Sequence, residues 1–191
     1  MQLRQGNSGC KLYLVDGPRG FFVRKVSPSP NYNTRLIAQA KKQLQFSKNT
    51  KLPFVIPGVI EIGEDYFDME HFTSRSVIEY LLDGGKGASD NIFNTVMNFI
   101  GLCVNESEYK KVNCQTLVEK VTSVFSVLSS EAIADLPFSR EELIDYVESH
   151  DAHSLPTGMC HGDLTFSNML VGGRSRVGAI DFLDTFYESP I

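Results

Sequence analysis

Three oxygen-bearing side chains near the end of this 191-residue chain, Asp163, Asn168 and Asp181, have the types and spacing to do chemistry together. Asn168 precedes a short apolar run, Met169-Leu170-Val171. Gly172-Gly173-Arg174-Ser175 is a turn, and residues 177–180 return to deliver Asp181. A hairpin brings its two ends side by side, so Asn168 and Asp181 are expected to face one point. Asp163, on the loop that feeds the hairpin, joins them. Two carboxylates and an amide carbonyl form a hard-oxygen set, which suits Mg²⁺ completing its shell with water and phosphate oxygens. Phosphoryl transfer needs little more than such a metal, a carboxylate to receive the proton of an attacking hydroxyl, and exact positioning. Asp163 fits the role of base or of a group that orients the nucleophile, and Asn168 and Asp181 fit the metal. A plain polar loop followed by a hairpin would have no reason to space these three residues so.

The elements that must position them divide the chain near residue 72. Strands are expected over 10–15 and 21–27, joined by the turn cluster Asp16-Gly17-Pro18-Arg19-Gly20. Leu36, Ile37, Ala40 and Leu44 recur at helical spacing and predict a helix over 34–46. Residues 51–62 read as β-like, interrupted by Pro53 and Pro57, and 66–69 as another strand. Thr73-Ser74-Arg75 reads as a polar link. Beyond it Ser76 and Glu79 form a capping-box signature opening a helix through Leu82, which Gly84-Gly85-Lys86-Gly87 is expected to end. Further helices are expected over 89–104, 115–128 and from Ser139 to His150. The reading is an α+β chain of two lobes: residues 1–72, a small antiparallel sheet with one helix, and residues 73–191, mainly helical and carrying the loop and hairpin.

Composition narrows the function classes. Hydrophobic residues make up 42% and charged residues 21%, as expected of a globular core. The net charge of −5 provides no basic excess with which to neutralise phosphate backbones, so nucleic acid is not expected as a partner. No apolar run is long enough to span a bilayer. Cys10, Cys103, Cys114 and Cys160 show no Cys-x-x-Cys spacing, and reduced, mostly buried thiols in a cytoplasmic protein are expected.

The run His161-Gly162-Asp163-x-x-x-x-Asn168, followed by Ile180-Asp181-Phe182-x-Asp184, resembles the signature of the aminoglycoside phosphotransferase and choline kinase-like superfamily, which has a protein-kinase-like fold. The resemblance implies ATP and Mg²⁺ as cofactors and a small-molecule acceptor. It implies that Asp163 is the catalytic aspartate, that Asn168 and Asp181 are magnesium ligands, and that His161 organises the loop. Carried over residue by residue, it implies that Gly6 and Gly9 lie in a shortened phosphate-covering loop and that Lys25 pairs with the α- and β-phosphates. The stretch Tyr66 to Phe72 would be the strand and hinge that hold adenine, Glu70 and Phe72 among its residues. The tail from Phe182 to Pro190 resembles kinase-like proteins encoded with bacterial surface-polysaccharide genes.

Two departures stand out. Members of this superfamily normally offer a helix glutamate to the strand lysine, yet no acidic residue lies between Lys25 and Glu61. Gln39 or Gln43 takes that place, or the pairing is absent. Family members also usually continue with helices beyond the point where this sequence stops, so a trimmed or minimal chain is expected. The function expected is transfer of a γ-phosphoryl group to a hydroxyl of a sugar, amino alcohol or aminoglycoside-like compound. The alternative is a nucleotide-binding pseudokinase without turnover.

Overall fold

The structure, a computed structural model, describes residues 1–3, 8–111, 114–149 and 154–184. Strands β1 (Lys11–Gly17) and β2 (Gly20–Val26) pair antiparallel through the expected turn. The N-terminal residues extend this sheet briefly, with Gln2 bridging Tyr13 and Leu3 N–H donating to the Leu12 carbonyl. A short 3₁₀ turn at Pro30–Tyr32 leads into α1 (Asn33–Ser47), which turns Leu36, Gln39, Ala40, Gln43 and Phe46 inward. β3 (Val59–Ile62) and β4 (Tyr66–Glu70) complete a four-stranded sheet in the order β1-β2-β4-β3. Cys10, Val23, Leu36, Ala40, Phe67 and Met69 form the core between this sheet and α1. On β2 and β4, Arg24 holds the buried Asp68 carboxylate with two hydrogen bonds of 2.7 Å, so that buried charge is neutralised.

β5 (Ser74–Ser76) follows, and then α2 (Val77–Asn105). The Ser76 hydroxyl accepts from Glu79 N–H, and the Glu79 carboxylate accepts from Ser76 N–H, which is the capping box read from the sequence. The glycine cluster interrupts the helix, as the sequence predicts. The span to Asn105 is two helical stretches that meet at Gly85, whose φ 53° and ψ −143° are not helical, and Ala88, Ile92, Phe99 and Cys103 beyond the break are buried in the same core as Val77 and Tyr80.

β6 (Glu108–Lys111), α3 (Cys114–Val127), α4 (Ser130–Ala134), α5 (Arg140–Ser149) and β7 (Ser154–Thr157) come next. β6 pairs with β7, and both ends of α5's expected cap are made, Glu142 N–H to the Ser139 hydroxyl and Ser139 N–H to the Glu142 carboxylate. β8 (Met169–Gly172) and β9 (Val177–Ala179) are the hairpin, and β5 pairs with β8 to make a three-stranded sheet. The chain groups into two compact units, 1–106 with 158–191, and 107–157. Residue 72 lies inside the first unit, between its two sheets.

Several short strands were illegible in the sequence. Thr73-Ser74-Arg75, read as a link, contributes to β5, because Ser74 to Ser76 find partners in Gly172 to Leu170. The stretch 51–62 is a strand only from Val59. Its Val55 instead exchanges backbone bonds with Val177 and Ala179, which fastens the connection to the hairpin. All four cysteines are described and none is in a disulfide. Cys10, Cys103 and Cys160 are buried, as expected, and burial pushes the Cys103 thiol up to about 12. Among the described residues no helix is long and apolar enough to cross a membrane.

Candidate active site

The hairpin brings the backbones of its two ends together. Ile180 N–H donates to the Asn168 carbonyl, so the residues flanking β8 and β9 are held together. The Asn168 side-chain amide donates to both the backbone carbonyl and the Oδ2 of Asp163, each at 2.9 Å. Asn168 is buried at the end of a 3₁₀ turn, Phe166–Asn168, whose own N–H bonds back to Thr165. With its nitrogen committed to Asp163, the Asn168 oxygen faces away from that carboxylate.

His161 and Phe182 brace the same loop. Asp163 N–H donates to His161 Nδ1 at 3.3 Å, so Nε2 carries the proton and donates to the Ile180 carbonyl at 2.9 Å. Burial lowers the pKa of this imidazole to about 4, which keeps it in that neutral form. The Leu183 N–H returns a bond to the His161 carbonyl. Phe182 is 1% exposed, its ring 4.3 Å from that of His161 and 4.6 Å from that of Phe46. Gly162 sits at φ 89°, and a Cβ there would stand 2.8 Å from Leu183 Cβ. Glycine is therefore demanded twice, by backbone conformation and by close approach.

Asp181, between Ile180 and Phe182, has φ 61°, a left-handed conformation that costs a non-glycine residue about 1–2 kcal/mol. Its neighbours hold it there through the Ile180 and Leu183 backbone bonds and the burial of Phe182. Its Oδ1 accepts from Lys25 Nζ at 2.8 Å. Lys25, on β2, is 3% exposed and also donates to the Gln39 side-chain oxygen at 3.3 Å. Gln39 thus occupies the position open to a helix carboxylate. Gln43 does not, since its amide donates to the Pro57 carbonyl and lies against Met69 sulfur. Asp184 accepts from Arg35 Nε at 2.8 Å, a second tie between α1 and the segment after the hairpin. Neither Arg35 nor the Tyr32 hydroxyl that takes a bond from Gln39 carried a sequence signal, because their roles depend on how α1 meets that segment.

A cavity of about 250 Å³ adjoins this set. Leu12 and Val23 of the first sheet, Glu70 and Phe72 of the connection, and Leu170 and Ile180 of the hairpin line it. This mostly aliphatic slot, with Ile180, the neighbour of Asp181, in its lining, suits a flat heterocycle. The Phe72 ring packs on the hairpin backbone, where a Cβ on Gly172 or Gly178 would stand 2.6 or 2.8 Å from it. The Glu70 carboxylate accepts from Gly58 N–H at 2.9 Å, so its side chain serves the sheet edge. Gly9 lies at φ 75°, beside Pro28, whereas Gly6 and the tail 185–190 lie outside the described residues.

The donor set fits a magnesium ion held jointly with a phosphate chain. Among the described residues no three His, Cys, Asp or Glu side chains form a closed metal cage. Asp181 Oδ2 and Asn168 Oδ1 remain as hard oxygens beyond the bonds described, and Mg²⁺ characteristically takes few protein ligands and fills its octahedron with water and phosphate.

The fold is that of a mixed α and β chain whose solved structural neighbours are phosphotransferases. Comparison with solved structures gives a TM-score of 0.61 to ADP-bound aminoglycoside phosphotransferase APH(2'')-Ib, at 18% identity over 99% of this chain and 67% of that one. The streptomycin–ATP–APH(2'')-IIa ternary complex gives 0.59, at 15% identity over 100% and 67%. A macrolide 2'-phosphotransferase type I gives 0.57, at 12% identity over 100% and 67%. The chain spans about two thirds of the length of these proteins, and at such identities the likeness is one of fold. Residues 127–191, which contain Asp163, Asn168 and Asp181, match the family model described as the phosphotransferase enzyme family. The resemblance to the aminoglycoside phosphotransferase and choline kinase-like superfamily read from the motif is thus found again in both comparisons. No curated protein matches the sequence.

Proposed function

We propose that this chain is an ATP- and Mg²⁺-dependent phosphotransferase that moves the γ-phosphoryl group to a hydroxyl of a small molecule, of the sugar, amino alcohol or aminoglycoside-like class. The observation that carries the reading is the pairing of a buried lysine with Asp181 at 2.8 Å, beside an aspartate–asparagine pair at 2.9 Å. In this reading the aliphatic slot by Glu70 and Phe72 receives the adenine, and Lys25 turns from Asp181 to the α- and β-phosphates. Asn168 and Asp181 hold the metal, which when bound neutralises charge on the phosphates. Asp163, with Oδ2 fixed by Asn168, keeps Oδ1 to accept the hydroxyl proton of the acceptor. The acceptor oxygen bonds to the γ-phosphorus as the bond to the β-phosphate oxygen breaks, and ADP leaves. His161, neutral and buried, shapes the loop and takes no proton.

The reading is tested by thermal melting of the chain with ATP, with and without Mg²⁺, alongside Asp181→Ala. A ligand that binds only the folded state raises the melting temperature by mass action. A rise that needs both Mg²⁺ and Asp181, followed by ADP release with an acceptor from a panel of sugars, amino alcohols and aminoglycosides, is the expected result. A Mg²⁺-dependent rise with no turnover on any acceptor favours the pseudokinase alternative. No rise at all removes both readings.

A further inference from the structure

The Lys25 ammonium is buried and its charge is matched on one side only. Two acceptors reach it, Asp181 Oδ1 at 2.8 Å and Gln39 Oε1 at 3.3 Å. Gln39 is itself 6% exposed, and its Nε2 donates to the Tyr32 hydroxyl at 3.4 Å, which directs its oxygen at the lysine. An amide oxygen accepts a hydrogen bond but brings no charge. Among the described residues Asp181 is the one carboxylate recorded on Lys25. The other acid nearby in sequence, Asp184, is engaged with Arg35 at 2.8 Å, and Asp163 with Asn168.

We propose that Gln39, by holding Lys25 with a neutral group, leaves Asp181 as the shared counter-charge of the lysine and the metal, and so makes divalent-cation binding and nucleotide binding strongly dependent on each other. This rests on the phosphotransferase reading above and assigns Gln39 as a positioning residue within it. The physical reason is charge balance in a low-dielectric site. A divalent cation that takes Asp181 alone deprives a buried ammonium of its counter-charge and leaves two cations, with three positive charges between them, on one carboxylate. A polyphosphate that takes Lys25 alone leaves Asp181 facing phosphate charge of the same sign. When the two ligands arrive together, phosphate balances Lys25 and the cation balances both Asp181 and the phosphate. Each ligand therefore removes the penalty of the other, and linkage makes the gain equal in both directions. A carboxylate at position 39 breaks that dependence, because Lys25 keeps a charged partner after Asp181 turns to the metal.

The experiment is calorimetric titration of the full chain with Mn²⁺, with a non-hydrolysable ATP analogue, and with each in the presence of the other. It is run on the wild type, Gln39→Glu and Gln39→Met, with each variant's melting curve recorded to verify folding. In the wild type, the analogue is expected to tighten Mn²⁺ binding by about tenfold or more, within the usual range of coupling between sites. Gln39→Glu is expected to bind Mn²⁺ without nucleotide and to lose most of that coupling. Gln39→Met, neutral and unable to accept from Lys25, is expected to keep the coupling while binding the analogue more weakly. A purely structural role for Gln39 would weaken all binding alike and leave the ratio unmoved. Wild-type Mn²⁺ binding that is equal with and without analogue overturns the proposal without recourse to any variant. Unchanged coupling in a folded Gln39→Glu overturns the assignment of Gln39 but leaves the phosphotransferase reading standing. Absence of any metal-assisted nucleotide binding in the wild type overturns both.

Discussion

Asp163 and Asp181 are both carboxylates at one end of a hairpin, yet their surroundings separate their roles. Asp163 is bonded by an amide and by nothing cationic in the described residues, whereas Asp181 carries a buried ammonium. In the proposed reaction the first handles a proton and the second handles charge. Asp163→Ala is therefore expected to lower kcat by about 10²–10⁴, the usual contribution of a positioned general base, while the affinity for Mg-ATP stays within a few-fold. Asp181→Ala is expected to weaken Mg-ATP binding itself. Steady-state kinetics beside a direct binding titration separate the two, and equal loss of binding and turnover in a folded Asp163→Ala contradicts the role given to it. Their place at one end of the hairpin was legible because it follows from their spacing along the chain. Gln39 was legible only as one of two candidates. Gln39 and Gln43 are both on the buried face of α1, and the choice between them depended on which one the packing of α1 brings to Lys25 on β2.

At the scale of elements, the loop and hairpin are held by backbone bonds that tolerate little change at their glycine. Gly162 and Gly20 both have positive φ, at 89° and 103°, but only Gly162 has a neighbour where a Cβ would be, Leu183 Cβ at 2.8 Å. Gly20→Ala is expected to cost about 1–2 kcal/mol, the strain of a left-handed alanine. Gly162→Ala is expected to cost more than that and also to lower turnover, because Leu183 can retreat only by moving the segment after Asp181. Urea denaturation of both variants tests this, and equal destabilisation would show that the contact with Leu183 has no effect. Element types were largely readable from periodicity and caps, as α1, α5 and the start of α2 show. The stop read at Gly84 to Gly87 falls at Gly85, and the stretches on both sides of it bury their apolar faces in one core. β5 has no apolar pattern of its own and exists because β8 offers it a partner.

For the molecule as a whole, stability is tied to pH through the loop that carries the site. Burial chiefly lowers the pKa of His161, from 6.5 to about 4; Lys42 acts in the same direction, and the Ile180 carbonyl, Asp163 and Asp181 oppose it. Between these values the unfolded chain takes up a proton that the folded chain refuses. Stability present above pH 6.5 therefore drains away as the pH falls toward 4, by up to about 3 kcal/mol from this one group. In a folded His161→Asn variant the loss between pH 6.5 and 5, above most carboxylate titrations, is expected to be shallower than in the wild type. Denaturation curves across that interval decide it, and parallel slopes would mean that His161 titrates normally.

The sequence by itself determined the α+β character of the chain, the caps of α2 and α5, the hairpin, and the place of three side chains at the hairpin's end. Each depends on neighbours a few residues apart, where spacing and residue type are enough. Tertiary structure alone decided that Lys25 meets Asp181, 156 positions later, that Gln39 rather than Gln43 shares that lysine, and that Arg35 reaches Asp184. It also decided that Phe72 lies on Gly172 and Gly178 beside the slot. These contacts join segments whose approach is set by the packing of α1 and two sheets on shared apolar cores, and no local pattern encodes which polar groups such packing brings together.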